Sequence, residues 1–382
     1  MKRSLLLVAV IGAGLLSFCT APPPAAIPDM ADLAFVPLRP PVLGLAIQHE
    51  AGAGLYRLVR VADESGGAAE VLTEGDLKAC ETALAATLEE RFGHGRPNVK
   101  LATLGGLQLW ADRMWLGGWR IQEHVYTGHF RLLSPRSLRH AWGSWEECRV
   151  ALEQVRVEGL IAQPRPRLVV LLHGLGRGTS PWSKMEEALD AAGWDVARIT
   201  YPSTRRSLAE HAAQLADILD RAEGAEEVHF VTHSLGGLVV RALLARGGDP
   251  WRERIRVGRL VMLAPPSQGS AIADSMKDFL PFEWLAGPVG KELALRDQQL
   301  FPTPPCEFAI IAGGKGDGKG WNPLLEGDDD GVVTVEETRL DGAKDFLVVE
   351  RLHTWLMRAP EVIAAVESFL ETGQFSPDRG EE

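Results

Sequence analysis

The sequence predicts a doubly wound α/β fold with a mostly parallel sheet over residues 166–375, preceded by a small α+β domain over residues 42–165. Three observations predict it. After Arg167, apolar runs of strand length alternate with helical periodicities, the pattern of a parallel sheet covered on both faces. One of those strands, residues 228–232, passes through a tight glycine-containing turn straight into a helix. Before Arg165 the texture differs, with short alternating stretches and two helical windows.

The 382 residues are 46% hydrophobic and 24% charged, which argues against disorder and fibrous repeats. A chain of this length buries a large core without disulfide staples. Forty Lys and Arg stand against 51 Asp and Glu, a formal charge of −11, with no compensating basic stripe. Nucleic acid and anionic lipid surfaces are therefore poor candidates for primary partners.

In chain order, Lys2 and Arg3 precede an uncharged apolar run over residues 5–18, and Pro22, Pro23 and Pro24 follow soon after. This reads as a signal peptide over residues 1–21, too short to serve as a comfortable permanent span. It predicts export. Leu16-Ser-Phe-Cys19 resembles the bacterial lipobox, which would make Cys19 a lipidated N-terminus and attach the protein to a membrane in the periplasm. That pattern wants Gly, Ala or Ser where Phe18 stands, and cleavage after Ala21 would instead give a plainly secreted protein. Loss of Cys19 leaves Cys80, Cys148 and Cys306, an odd set that allows at most one intramolecular disulfide. No Cys-x-x-Cys spacing points to zinc.

Residues 22–41, rich in Pro and Ala, read as a linker. In the block 42–165, residues 54–60 and 114–122 look like strands, and residues 77–92 and 144–157 like helices. Five of the eleven tryptophans fall between Trp110 and Trp145, as core packing or as an aromatic ligand platform. From 166 the expected strands are 168–172, 195–201, 228–232, 259–263, 306–312 and 345–349, and the expected helices 182–192, 207–223, 235–245 and 360–372. Ser207 with Glu210 three residues on is a capping-box signature. Residues 376–382 form a polar tail.

The strand 228–232 leads into His233-Ser-Leu-Gly-Gly237. A Ser on a sharp strand-to-helix turn presents its hydroxyl above the carboxyl edge of the sheet, and such a turn needs very small neighbours. Gly236 and Gly237 supply them downstream, whereas Thr232 stands where G-x-S-x-G has its first glycine. The helix N-terminus behind Ser234 offers free N–H groups suited to an oxyanion. A helix-capping serine that happens to precede two glycines is the plainer alternative. Upstream, the first buried strand ends in His173-Gly-Leu-Gly-Arg-Gly178. This loop could cradle a phosphate, but it lacks the Lys-Ser/Thr ending of a P-loop and the spacing of a dinucleotide fingerprint. As a hydrolase loop it would bring a second backbone donor, making Leu175 and Leu235 the expected oxyanion amides.

The ordered set H-G-L-G-R at 173–177, Y-P-S-T-R at 201–205, T-H-S-L-G-G at 232–237, L-A-P-P-S-Q-G-S at 263–270, D-D-D-G-V-V at 328–333 and L-H-T-W-L-M at 352–357 resembles the lipase-like branch of the α/β-hydrolase superfamily, including bacterial lipases and small esterases. The resemblance covers residues 168–375 and leaves 42–165 unmatched. It implies the chain order Ser, acid, His. His353 is the only histidine after Ser234, and it lies between the last strand and the last helix, where this fold delivers its base. For the acid, Asp330 sits in the Asp-Gly-hydrophobic-Val pattern of the relatives, with Asp317 and Asp329 as alternatives. The implied chemistry is cleavage of carboxylic esters by a serine esterase or lipase-like hydrolase acting on an ester or lipid small molecule. It needs no organic cofactor. The acidic run 328–330 raises Ca²⁺ as an alternative, though no Asp-x-Asp-x-Asp loop with a closing Glu accompanies it.

Residues 270–303 lie where this superfamily inserts caps, and Phe279, Leu280, Phe282, Trp284 and Leu285 on a Gly/Pro-broken segment suit a lid over an acyl pocket. A buried connection packed on the sheet is the alternative. Two other functions fit the same motifs: an envelope acyltransferase passing the acyl group to an alcohol, and a non-catalytic binding protein that retains the fold.

Overall fold

A computed structural model describes residues 30–37, 42–50, 55–62, 70–92, 101–103, 105–276, 288–290, 292 and 301–375. The signal segment 1–21 with Cys19, the lid residues Phe279, Leu280, Phe282, Trp284 and Leu285, and the tail 376–382 lie outside the described residues. Among the described residues, no helix is long and apolar enough to cross a membrane.

The strand Arg167–Leu172 (β10) is apolar at every position after its first, and both parities are buried, as in a strand covered on both faces. It pairs in parallel with Asp195–Ile199 (β11) on one side and Glu227–His233 (β12) on the other. Arg256–Leu263 (β13), Phe308–Gly314 (β14) and Asp345–Glu350 (β15) continue the sheet, all parallel, in the order β11-β10-β12-β13-β14-β15. The sequence had expected β14 to begin at Cys306, two residues early.

Alternation sorts the core into two layers. Leu168, Val170, Leu172, Phe230, Met262 and Ile310 pack with Leu215 and Leu219 of Leu208–Asp220 (α4) and Leu238 and Val239 of Leu235–Ala245 (α5). Val169, Leu171, Val231, Val261 and Ile311 pack with Met185 and Leu189 of Ser183–Ala191 (α3) and with Val362, Val366 and Phe369 of the last helix, Pro360–Thr372. The doubly wound arrangement expected from the sequence is thus present. The expected capping box closes α4: Ser207 accepts the Glu210 N–H, and Glu210 accepts the Ser207 N–H.

Strand order reverses at β10, where β11 and β12 lie on opposite sides, and open α/β sheets bind ligands beyond the carboxyl ends of the strands at such a point. Leu172 is level with Thr232, and His233 with Leu263. The chain segments after β10 and β12 therefore leave the sheet side by side.

The block before the parallel sheet differs from the expectation. The chain divides into two compact units between Val99 and Lys100 rather than at 165. In the first, Met30–Pro37 (β1), Val42–Glu50 (β2), Leu55–Ala62 (β3) and Glu70–Gly75 (β4) form an antiparallel sheet, and Leu77–Phe92 (α1) packs on it around Leu45, Ile47, Leu58 and Cys80. Part of the expected linker 22–41 is thus a strand, over a stretch that contains no proline before Pro37.

In the second unit, Leu101–Ala102 (β5), Trp110–Leu116 (β6), Trp119–His124 (β7), Phe130–Leu133 (β8) and Leu138–Gly143 (β9) form an antiparallel sheet in the order β5-β9-β8-β7-β6. Gly117 and Gly118, at φ 50° and 82°, make the two-residue hairpin that splits the stretch 114–122 into two strands. Trp145–Val157 (α2), capped by Ser144, covers this sheet. Trp119 joins that core while Trp115 joins the core of the parallel sheet, and the Arg131 guanidinium lies 3.8 Å over Trp110, so these rings serve packing. The Asp112 N–H donates to Thr200 O at 2.9 Å, just beyond the end of β11. Contacts spanning some ninety residues leave no trace in local composition, which is why the boundary was misplaced.

Candidate active site

Strand β12 ends at His233, and Ser234 turns the chain into α5 with φ 54° and ψ −123°. A non-glycine residue there costs on the order of 1–3 kcal/mol and persists only when its surroundings impose it. The Ser234 N–H donates to Leu263 O at 2.8 Å, tying the turn to β13. A Cβ on Gly236 would stand 2.8 Å from Leu172 O, and one on Gly174 would stand 3.0 Å from the Ser234 Cβ. The glycines thus let the segments after β10 and β12 touch. Thr232, which the sequence pattern marked as crowding the turn, is buried with its Oγ1 facing the side of Gly237 that a Cβ would fill.

His353, the base expected from the sequence, opens the 3₁₀ helix His353–Arg358, which follows β15. His353 Nδ1 lies 2.6 Å from Asp330 Oδ2, and its backbone N–H donates to Asp330 O at 2.9 Å. The other carboxylate oxygen of Asp330 accepts the N–H groups of Val332 and Val333 at 3.0 and 2.8 Å. With a carboxylate at Nδ1, the proton of a neutral ring sits there, and Nε2 keeps its lone pair. Nε2 has no hydrogen-bond partner among the described residues.

His233 joins this pair to the turn. Its Nε2–H donates to His353 O at 2.9 Å, and the two rings are 4.5 Å apart between centroids. Burial, reinforced by the neighbouring His353, pushes the His233 pKa well below the usual imidazole range, so the ring stays neutral. The sequence reading did not assign His233 a role. Nor did it assign one to Gly313, where a Cβ would meet Asp330 Cβ at 2.7 Å and Arg351 O at 2.6 Å. Consecutive glycines at the end of a buried strand were the available signal.

A model of the alpha/beta hydrolase family matches residues 169–366, just over half of the chain. The chain belongs to the alpha/beta hydrolase family. No curated protein matches it. Among solved structures it is similar to the mature Bacillus licheniformis lipase BlEst2, at 21% identity and TM-score 0.44 over 56% of this chain and 94% of that one. It is similar also to phospholipase PlaB from Legionella pneumophila, at 20% identity and TM-score 0.37 over 45% and 44%. A thermophilic esterase from Thermogutta terrifontis matches at 14% and 0.36 over 55% and 91%.

In this alpha/beta hydrolase the remaining acids lie apart from the imidazole. Asp317 is bound to Lys315 at 2.6 Å on the surface and accepts the N–H groups of Lys319 and Gly320. Asp329 accepts from Asn322 and Gly331, and Asp328 from Lys315 and Gly316. Backbone amides thus occupy carboxylate oxygens in each member of the acidic run. Among the described residues, no group of three or more His, Cys, Asp or Glu is arranged to hold a metal ion.

The loop after β10 rests on buried aromatics. Tyr201 stacks on His173 at 4.3 Å and donates its hydroxyl to His173 O, and His211 meets Tyr201 edge-on at 4.8 Å. Burial lowers the His173 pKa to about 4 and that of His211 to about 3. The Leu175 and Leu235 amides donate no hydrogen bond among the described residues, and the latter is one of the first-turn N–H groups that a helix leaves free. Cys80, Cys148 and Cys306 are free thiols, with Cys148 pushed up to about 12 by burial.

Proposed function

We propose that the chain is an exported serine hydrolase that cleaves carboxylic esters through an acyl-enzyme on Ser234. The observation that carries this reading is the Asp330–His353 pair at 2.6 Å, joined through His233 to a serine held at φ 54°.

In this mechanism Ser234 Oγ attacks the ester carbonyl carbon while His353 Nε2 takes its proton. Asp330 holds the tautomer and stabilises the imidazolium. The carbonyl oxygen, now an alkoxide, accepts from the Leu175 and Leu235 amides. The tetrahedral intermediate collapses, the C–O bond to the alcohol breaks, and His353 returns the proton to the departing alkoxide. Water repeats the attack on the acyl-enzyme, releasing the acid and restoring Ser234.

Esters with acyl chains are favoured by the apolar composition of the segment 270–303, read from the sequence as a lid or as a buried connection. Export is supported by Lys2, Arg3 and the apolar run 5–18, with Cys19 as the point of membrane attachment where lipidated.

A fluorophosphonate probe tests the chemistry. Labelling of the folded wild type that Ser234→Ala abolishes is the expected result. Undiminished labelling of the variant, or none of folded wild type, would overturn the assignment. A chain-length series of p-nitrophenyl esters then ranks the acyl preference.

A further inference from the structure

We propose that Gln108, carried by the antiparallel layer upstream of the hydrolase sheet, is a positioning residue that fixes the oxyanion loop. The inference rests on the reading of the Leu175 amide as an oxyanion donor.

Leu175 occupies the second position of a turn closed by the Arg177 N–H on Gly174 O at 3.3 Å, with Gly176 third at φ 66°. That closing bond is long, and a turn so weakly closed depends on outside ties to hold its peptide planes. His173 Nδ1–H supplies one, donating to Gly174 O at 2.9 Å, and two more, at the far side of the turn, both lead to one side chain. Gln108 Nε2 donates to Arg177 O at 2.8 Å. The Gly176 N–H donates to Ser203 Oγ at 2.9 Å, and Ser203 Oγ donates in turn to Gln108 Oε1 at 3.1 Å. Gln108 Oε1 also accepts from Thr204 N at 2.9 Å and Thr204 Oγ1 at 3.1 Å, so the loop after β10 and the loop after β11 are clamped by a single amide.

The amide is itself held from below. Gln108 lies on a turn entered through Gly105 and Gly106, at φ 74° and 117°. A Cβ on Gly106 would stand 3.0 Å from the Trp110 Cβ and 3.1 Å from Gln122 Nε2. Gly105 O accepts Gln122 Nε2 at 2.8 Å and Thr200 Oγ1 at 3.3 Å. Gln122 is locked by Asp112 Oδ1 at 2.7 Å and by a two-pronged Arg131 contact at 2.7 and 2.9 Å, all three side chains buried. Asp112 Oδ2 then accepts Thr200 N at 2.6 Å. A buried polar network with this many satisfied members is rigid, and rigidity is what an oxyanion donor requires of its support. The layer thereby gains a function in the reaction, because it holds the Gly176 and Arg177 side of a turn whose Gly174 side is held by His173.

The test uses Gln108→Leu and the isosteric Gln108→Glu, which loses the donor to Arg177 O, in the full chain. Each is assayed on an acyl ester and on its thionoester, with thermal unfolding and fluorophosphonate labelling alongside. A thiolate developing from C=S accepts hydrogen bonds weakly, so it gains little from a well-placed donor. A displaced Leu175 amide should lower kcat on the oxoester about tenfold to a hundredfold with KM nearly unchanged. The thionoester rate should fall much less, collapsing the oxo/thiono ratio. Equal losses on both substrates, or loss of thermal stability at an unchanged ratio, would overturn the proposal. Ser234-dependent labelling reads the underlying mechanism separately. If wild type fails to label, the hydrolase assignment falls; if labelling stands and the ratio does not move, only the role of Gln108 does.

Discussion

Gly313→Ala probes how the acid and base loops are brought together. A methyl group there would lie 2.6 Å from Arg351 O and 2.7 Å from the Asp330 Cβ, where ordinary contact begins at 3.4 Å. The loops must therefore retreat by about 0.7–0.8 Å, the difference between these distances. Gly313 lies in β14 outside the left-handed region, so alanine brings no backbone strain and the effect is purely steric. Both obstructing groups are main chain or Cβ, so no rotamer change relieves the clash. Overpacking of this kind costs about 1–3 kcal/mol, and displacement approaching 1 Å between groups that must act together costs up to about 10²-fold in rate. We expect kcat to drop tenfold or more while the fold is retained. Steady-state kinetics and thermal unfolding measure the two effects, with Gly247→Ala as control because nothing lies within 4 Å of a Cβ there. Wild-type kcat in a folded Gly313→Ala protein would refute the claim that this close approach holds Asp330 against His353.

Asp330→Asn should lower kcat by about 10⁴ through loss of the correct imidazole tautomer. Asp317→Asn should leave kcat near wild type, because that side chain is engaged with Lys315 on the surface; the reverse result would reassign the acid. Ser234→Gly, inactive, should be about 1 kcal/mol more stable to denaturant than Ser234→Ala, since glycine adopts φ 54° without penalty. Equal stabilities would mean that the turn stores no strain. Stability should fall as pH drops from about 6.5 toward 4, because the unfolded chain takes up protons near pH 6.5. The folded protein holds His173 and His229 at about 4 and His211 at about 3. The unfolded state thus binds more protons in this window, each such histidine contributing about 1.4 kcal/mol per pH unit. Urea midpoints that stay flat between pH 7 and 5 would contradict it, and His211→Phe should blunt the slope.

The parts of the site legible in the sequence are those whose physics is local. The strand-Ser-helix turn, the Gly174 loop and the single downstream histidine each announce themselves within a few residues, as does the Ser207–Glu210 box. The choice of acid was not local. Only the resemblance's Asp-Gly-hydrophobic-Val pattern set Asp330 ahead of Asp317 and Asp329, whereas in the structure one Asp330 oxygen accepts the Val332 and Val333 N–H groups and the other faces His353. Likewise His233 had no assigned role in the sequence reading, and its ring lies on His353 O.

The misplaced boundary has a related cause. Strand β11 is the edge of the parallel sheet, and an edge strand leaves unpaired backbone groups that must be covered or solvated. Just past that edge, Thr200 finds its partners in Asp112, whose N–H donates to Thr200 O while its carboxylate accepts Thr200 N. Gln214 Nε2 then bridges both carbonyls at 2.9 and 3.0 Å. Asp112 is fully buried, and desolvation raises its pKa against the opposing pull of Arg120. A carboxylate so enclosed is costly unless every oxygen is engaged. The antiparallel layer therefore cannot be a separable neighbour: removing it would strand Thr200 and Gln214, and detaching it would strand Asp112. The same junction, extended one turn toward the carboxyl edge of the sheet, is what delivers Gln108 to the loop after β10.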